Sequence, residues 1–238
     1  MRRFEAVLFD LDGTLMQSTQ SQTRATKYVA DALRSRLVLH NRIPQRVILH
    51  TVERVSAEMG LKLLYDRSLW WKEIARRLDV EETISDEFAR TLTLGYWSNY
   101  ARAMKPYKDS IPTLRWLRAE GYKVGLVTDT DGTRGLKSRR LSMIRLVRLF
   151  DTVVIAGEDT KGVKPHPSGY LAALRRLNTR PTHAVFVGDN PLTDMRGANR
   201  VGMTSILIDR NRAVSDSVKG DAKPSFVISR LGELRKLL

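Results

Sequence analysis

Four apolar residues, Ala6-Val7-Leu8-Phe9, run directly into Asp10-Leu11-Asp12-Gly13-Thr14-Leu15. An apolar run this short and unbroken predicts a strand buried on both faces, as in a parallel sheet. Residues two apart in extended chain point the same way, so Asp10 and Asp12 are expected to face one site. Gly13 permits a sharp turn there, and the Thr14 hydroxyl can tie it down. Two neighbouring acids repel unless a cation, or a proton held by one of them, compensates.

The chain has 238 residues, enough for one large domain or a core with a smaller insertion. Its 41 Lys and Arg against 26 Asp and Glu give a net charge of +15, a field that attracts anions of any kind. There are no cysteines, which excludes disulfides and thiolate metal sites. No apolar run approaches the ~20 residues of a membrane span. Met1-Arg2-Arg3-Phe4 leads into the first strand with no apolar leader, so a cytoplasmic protein without membrane contact is expected.

From about Met16 to Met104 the spacing is helical. Ala25, Tyr28, Val29, Ala32 and Leu33 form one stripe. Pro44 opens a second helix, with Gly60 as its stop. Leu69, Trp70, Ile74 and Leu78 mark a third, and Ser85 caps a fourth that turns Phe88, Leu92, Tyr96 and Tyr100 inward. Three of the four tryptophans fall here and read as the core of a small bundle. After residue 105, helix and strand alternate. Asp109 is placed as the cap of a helix reaching Glu120. Strands are predicted over Lys123–Thr128, Thr152–Ile155, Ala184–Val187, Thr204–Ile208 and Phe226–Ile228. Helices are predicted over Thr133–Leu149, Pro167–Leu177 and Pro191–Val201, with a last one to Leu238, and 211–224 reads as the flexible loop. This alternation argues for an α/β core, a doubly wound, Rossmann-like parallel sheet covered on both faces.

Ligands of open parallel sheets bind at the carboxyl ends of the strands. Asp10 and Asp12, Thr128, and Asp189 all fall at such ends. Carboxylates that converge suit a hard cation such as Mg²⁺, with Asp10, the Asp12 carbonyl and Asp189 as oxygen ligands. Asp194, one turn on, would hold a metal-bound water or orient Lys164. The Thr128 hydroxyl, nearby backbone N–H groups and the Lys164 ammonium suit the oxygens of a phosphoryl group. The run Arg134, Lys137, Arg139, Arg140, Arg145, Arg148 has no acid between Thr133 and Phe150 and reads as the solvated face of a helix; its sharper reading is a polyanion surface. His166 and His183 lack partners at metal spacing.

The chain resembles the haloacid dehalogenase-like superfamily on four motifs in order: Asp10-x-Asp12-Gly13-Thr14, Thr128, Lys164-Pro165, and Gly188-Asp189 with Asp194. The glycine-spaced Gly197-Ala198-Asn199-Arg200-Val201-Gly202 resembles the helix after the last motif. The resemblance covers about 150 residues of core and is closest to the phosphatase branch, with phosphoglycolate phosphatases and β-phosphoglucomutases as its types. It implies a core over 1–16 and 105–238 and a helical cap domain over 17–104, inserted after the first strand, with hinges near residues 16–18 and 104–106. Asp10 would be the nucleophile that forms an aspartyl-phosphate, and Asp12 the general acid/base that dehalogenases of this fold lack. Thr128, Asp129 and Lys164 would bind the phosphoryl group, and Asp10, Asp12, Asp189 and Asp194 would hold Mg²⁺. Asp129 departs from the usual Asn or Ser and adds an acid near the phosphate. The expected substrate is a small phosphate monoester, and the expected state a monomer or homodimer. The alternatives are a phosphomutase, a phosphonate-cleaving relative needing a cap lysine (Lys27, Lys62 or Lys72), and a non-catalytic polyanion- or nucleic-acid-binding protein.

Overall fold

A computed structural model describes residues 3–37, 43–212 and 218–238. Residues 213–217 of the expected flexible loop lie outside it. The chain divides into two compact units: Met1–Gln17, Lys105–Thr130 and Leu141–Leu238 form one, and Ser18–Met104 with Asp131–Arg140 form the other. No helix among the described residues is long and apolar enough to cross a membrane.

The first unit is built on six parallel strands: β1 (Ala6–Phe9), β2 (Lys123–Asp129), β3 (Thr152–Ala156), β4 (Ala184–Gly188), β5 (Thr204–Ile208) and β6 (Phe226–Ile228). Their order is β3-β2-β1-β4-β5-β6. β1 therefore lies centrally, paired with β2 through Phe9↔Leu126 and with β4 through Phe9↔Val187. The chain reverses direction across the sheet at this strand, and a crevice opens at such a switch point. All four residues of β1 are fully buried. Ala6 and Leu8 pack with Val127, Phe186 and Leu207 against Tyr170 and Leu174 of the helix Ser168–Arg176, while Val7 and Phe9 turn to the opposite face. Burial of both faces explains why β1 needs apolar residues at every position rather than at alternate ones.

The second unit packs four helices, α1 (Thr19–Arg36), α2 (Gln45–Leu61), α3 (Arg67–Arg77) and α4 (Asp86–Ala103), around Val29, Leu33, Ile48, Val55, Trp71, Ile74 and Leu92. Ser85 caps α4 by accepting from the Phe88 N–H at 3.2 Å. Trp71 is fully buried, and its indole N–H donates to Thr93 Oγ1 at 2.8 Å. Three local expectations need correction. Gly60 does not stop α2; the left-handed residue beyond it is Leu63, at φ 55°. Leu69 is 46% exposed, because α3 turns Trp70, Trp71 and Ile74 inward instead. The expected long helix from Thr133 breaks into a short α-helix, Leu136–Ser142, and a 3₁₀ segment over Arg145–Leu149.

The basic run also departs from a wholly solvated face. Lys137 and Arg140 are not solvated; each is 3% exposed. Arg140 grips Asp131 with two hydrogen bonds of 2.9 and 2.8 Å, and the Lys137 ammonium lies 3.2 Å from the same carboxylate. Arg134, Arg139, Arg145 and Arg148 remain exposed.

Candidate active site

The candidate site lies at the carboxyl edge of the sheet. Asp10 directly follows β1, and its backbone N–H donates to the Val187 carbonyl of β4 at 2.9 Å. The chain then folds tightly: Leu15 N and Met16 N both donate to the Leu11 carbonyl at 2.9 Å, and Gly13 N to the Met16 carbonyl at 2.8 Å. Gly13 takes φ 89°, which favours glycine. A Cβ there would sit 2.0 Å from Asp189 Oδ2, so glycine is also what lets that carboxylate close on the turn. Gly188 does the same for Asp194, whose Oδ2 would lie 2.3 Å from an added Cβ. The Thr14 hydroxyl donates to Asp189 Oδ1 at 3.1 Å.

Asp10, Asp189 and Asp194 each present a carboxylate oxygen within 4.8 Å of the others. Lys164 enters this acidic group: its ammonium is 2.5 Å from Asp10 Oδ1 and 2.7 Å from Asp194 Oδ1. Asp194 is further fixed by the Asn190 backbone N–H on Oδ2 at 3.1 Å. Asp129, the acid expected to need neutralising, accepts the Lys164 backbone N–H on Oδ1 at 2.8 Å and so holds the lysine loop. The Lys164–Pro165 peptide bond is cis. Thr128, next to Asp129 at the end of β2, is 1% exposed. Asp12 is half-buried, bridges to Met16, and raises the Asp10 pKa through its charge.

Burial and crowding set the protonation states. Loss of solvation pushes the Asp10 carboxyl up to about 6; Lys164 opposes this, and Asp194 and Asp12 add to it. Burial, then the charges of Asp10 and Asp194, hold Asp189 well above the usual carboxylate range. Burial works against the charged form of Lys164, but Asp10 and Asp194 outweigh it and keep the ammonium protonated. One lysine thus stands among three carboxylates, two of them buried and Asp189 half-buried. An all-oxygen donor set with this surplus of negative charge is the chemistry of a hard divalent cation, and Asp10, Asp189 and Asp194 could hold one.

Arg210 and Tyr107 carry no signal in the sequence, and Asp109 differs from the helix cap expected of it. Asp109 does not cap its helix with its side chain. Its carboxylate accepts two hydrogen bonds of 3.1 Å from Arg210 and one of 2.9 Å from the Leu231 backbone N–H, and a guanidinium is the stronger partner. Tyr107 lies under the same guanidinium, 3.7 Å from it. Nothing in the spacing of 109 and 210 announces this pair. His166 bonds to Ser168 and His183 faces Glu5, away from the acidic group.

Residues 4–202 match the family described as haloacid dehalogenase-like hydrolase. The chain is 30% identical over 233 residues to the glyceraldehyde 3-phosphate phosphatase of Methanopyrus kandleri, covering 97% of this chain and 95% of that protein. It is 27% identical over 241 residues to the pyrophosphatase PpaX of Bacillus thuringiensis, covering 99% and 97%. Among solved structures it is similar to a phosphatase of the same superfamily from Thermococcus onnurineus, with a TM-score of 0.69, 31% identity, and coverage of 98% of this chain and 97% of that one.

Proposed function

Since the chain belongs to the haloacid dehalogenase-like hydrolases, we propose that it is a phosphatase that hydrolyses a small phosphate monoester through an aspartyl-phosphate on Asp10. The observation that carries this reading is the convergence of Asp10, Lys164, Asp189 and Asp194 at the carboxyl edge of the sheet.

Asp10 attacks phosphorus in line, forming a carboxylate-to-phosphorus bond as the bond to the leaving oxygen breaks. Asp12 gives that oxygen its proton. Asp12 then takes a proton from water, whose oxygen attacks phosphorus and releases inorganic phosphate and the Asp10 carboxylate. Lys164 keeps Asp10 ionised and offsets charge on the phosphoryl oxygens, and Asp194 aims the ammonium. Thr128 and the backbone after it bind the phosphoryl group, while Asp129 serves by holding the loop that carries Lys164. Mg²⁺ held by Asp10, Asp12, Asp189 and Asp194 would supply charge neutralisation for the incoming phosphate dianion.

The names of the relatives direct the first substrates: glyceraldehyde 3-phosphate and pyrophosphate, beside a panel of sugar phosphates. Phosphate release is measured with Mg²⁺ and with EDTA, for the native protein beside Asp10→Asn. Mg²⁺-dependent release abolished in the variant is the expected result. Release that survives Asp10→Asn would refute the nucleophile, and no release from any ester would refute the phosphatase reading.

A further inference from the structure

Thr14 is fully buried, so its carbonyl needs a donor from within the fold. The donor is the Arg210 side chain, whose Nη2 reaches that carbonyl at 2.9 Å across 196 residues of sequence. Arg210 follows β5 and is itself held by two further residues. Asp109 takes its fork at 3.1 and 3.1 Å, the Tyr107 ring lies 3.7 Å below it, and Asp109 is anchored in turn by Leu231 N at 2.9 Å. The same short segment holds the next carbonyl of the turn: Leu15 O accepts from Tyr107 N at 3.0 Å and from Ser110 Oγ at 2.7 Å.

The inner side of this turn is where Asp189 sits. Thr14 Oγ1 donates to Asp189 Oδ1, and Gly13 lies against Asp189 Oδ2. A displaced Thr14 therefore carries with it the hydroxyl that orients the Asp189 carboxylate and the surface on which that carboxylate rests. We propose that Arg210, clamped by Asp109, is a positioning residue for the metal site: it sets the outer carbonyl of the turn and thereby the Asp189 oxygens. Arg210 touches neither the acidic group nor any reacting atom; it acts through Thr14. The inference rests on the proposed metal-binding role of Asp189.

The test is direct binding of Mn²⁺, as a spectroscopic stand-in for Mg²⁺, to the full-length metal-free protein, followed by electron paramagnetic resonance. Loss of an outer-shell partner typically weakens metal affinity roughly 10- to 100-fold, and Arg210→Ala is expected in that range. Arg210→Lys keeps a charge and one donor but not the fork, so it should recover part of the affinity. Asp109→Ala in the Arg210→Ala background should add little to the loss of metal affinity, since both act through one contact. At saturating metal, the KM for the phosphate ester should stay at its native value. Thermal melting identifies any variant that has not folded, and Arg210→Lys then carries the test. Native Mn²⁺ affinity in folded Arg210→Ala or Arg210→Lys would overturn the inference, as would fully additive losses in the double variant. A native protein that binds no Mn²⁺ would instead overturn the metal-site reading beneath it.

Discussion

The Lys164 ammonium bridges Asp10 and Asp194, 2.5 Å from one carboxylate and 2.7 Å from the other, with all three side chains at most 9% exposed. A buried cation between two buried acids is costly to remove, because each acid is left charged in a medium that solvates it poorly.

Lys164→Met should therefore reduce kcat/KM by roughly 10²- to 10³-fold, the loss typical of a donor that stabilises charge in the transition state. The profile of kcat/KM against pH should move up as well, since Lys164 is the main group opposing the rise in the Asp10 pKa. Unchanged activity in steady-state assays would remove Lys164 from the site.

The pH dependence of the native protein follows from Asp10. Its carboxyl is pushed up to about 6 by burial, and as the proposed nucleophile it would attack phosphorus only in its ionised form. Activity should therefore fall as pH drops through that region. The sign with metal is opposite to that of burial: a bound divalent cation favours the ionised form, so raising Mg²⁺ should carry the acidic limb to lower pH. Rate profiles at two Mg²⁺ concentrations check this, and an acidic limb that moves up with Mg²⁺ would contradict it.

Metal should also change stability. In EDTA, the raised pKa values of Asp10 and Asp189 mean that folding takes up protons, so the stability these groups confer is full below their unfolded values and is lost as pH rises through their folded ones, which for Asp10 is between about 3.8 and about 6. Mg²⁺ at 100 times its Kd should restore about 2.7 kcal/mol at neutral pH. Asp189→Asn should lose most of that increment while melting no lower than the native protein in EDTA. Calorimetric melts with and without Mg²⁺ measure both.

The helical unit offers a contrasting pair of buried charges. Arg67 is 8% exposed and lies between the rings of Trp70 and Tyr96, 3.9 and 3.8 Å from their centres, and its Nε and Nη1 make no hydrogen bond. Asp131 instead holds Arg140 and Lys137. Arg67→Met should leave stability unchanged or raise it by up to about 2 kcal/mol, because burying the charge costs more than its ring contacts return. Asp131→Ala should cost about 3 kcal/mol or more by leaving the Arg140 fork without its carboxylate. Urea titrations showing Arg67→Met to be the more damaging of the two would refute this ordering.

Asp10, Asp12 and Gly13 could be found from sequence because strand, turn and carboxylates lie within a few residues, where pattern and turn chemistry apply directly. Lys164 and Asp189 were reachable through strand ends and motif order. Asp109 was misread because its position fits a cap, while the partner that outcompetes the helix N–H groups lies 101 residues away. Lys137 and Arg140 were misread for a smaller reason. Their acid, Asp131, lies just N-terminal to the acid-free run from Thr133 to Phe150, and both side chains turn inward to it. Long-range charge pairing leaves no periodic trace, so such contacts become visible only once the chain is folded.

The most direct test of the account is to look for the covalent intermediate. Asp12→Asn is mixed with Mg²⁺ and p-nitrophenyl phosphate, whose leaving group needs no proton, so that attack proceeds while hydrolysis lacks its base. Quenched protein is digested and read by mass spectrometry. The account predicts one phosphoryl adduct, on the peptide that contains Asp10, formed together with p-nitrophenol and absent in Asp10→Asn. Release of p-nitrophenol with no adduct on that peptide, or an adduct on another residue, would contradict it.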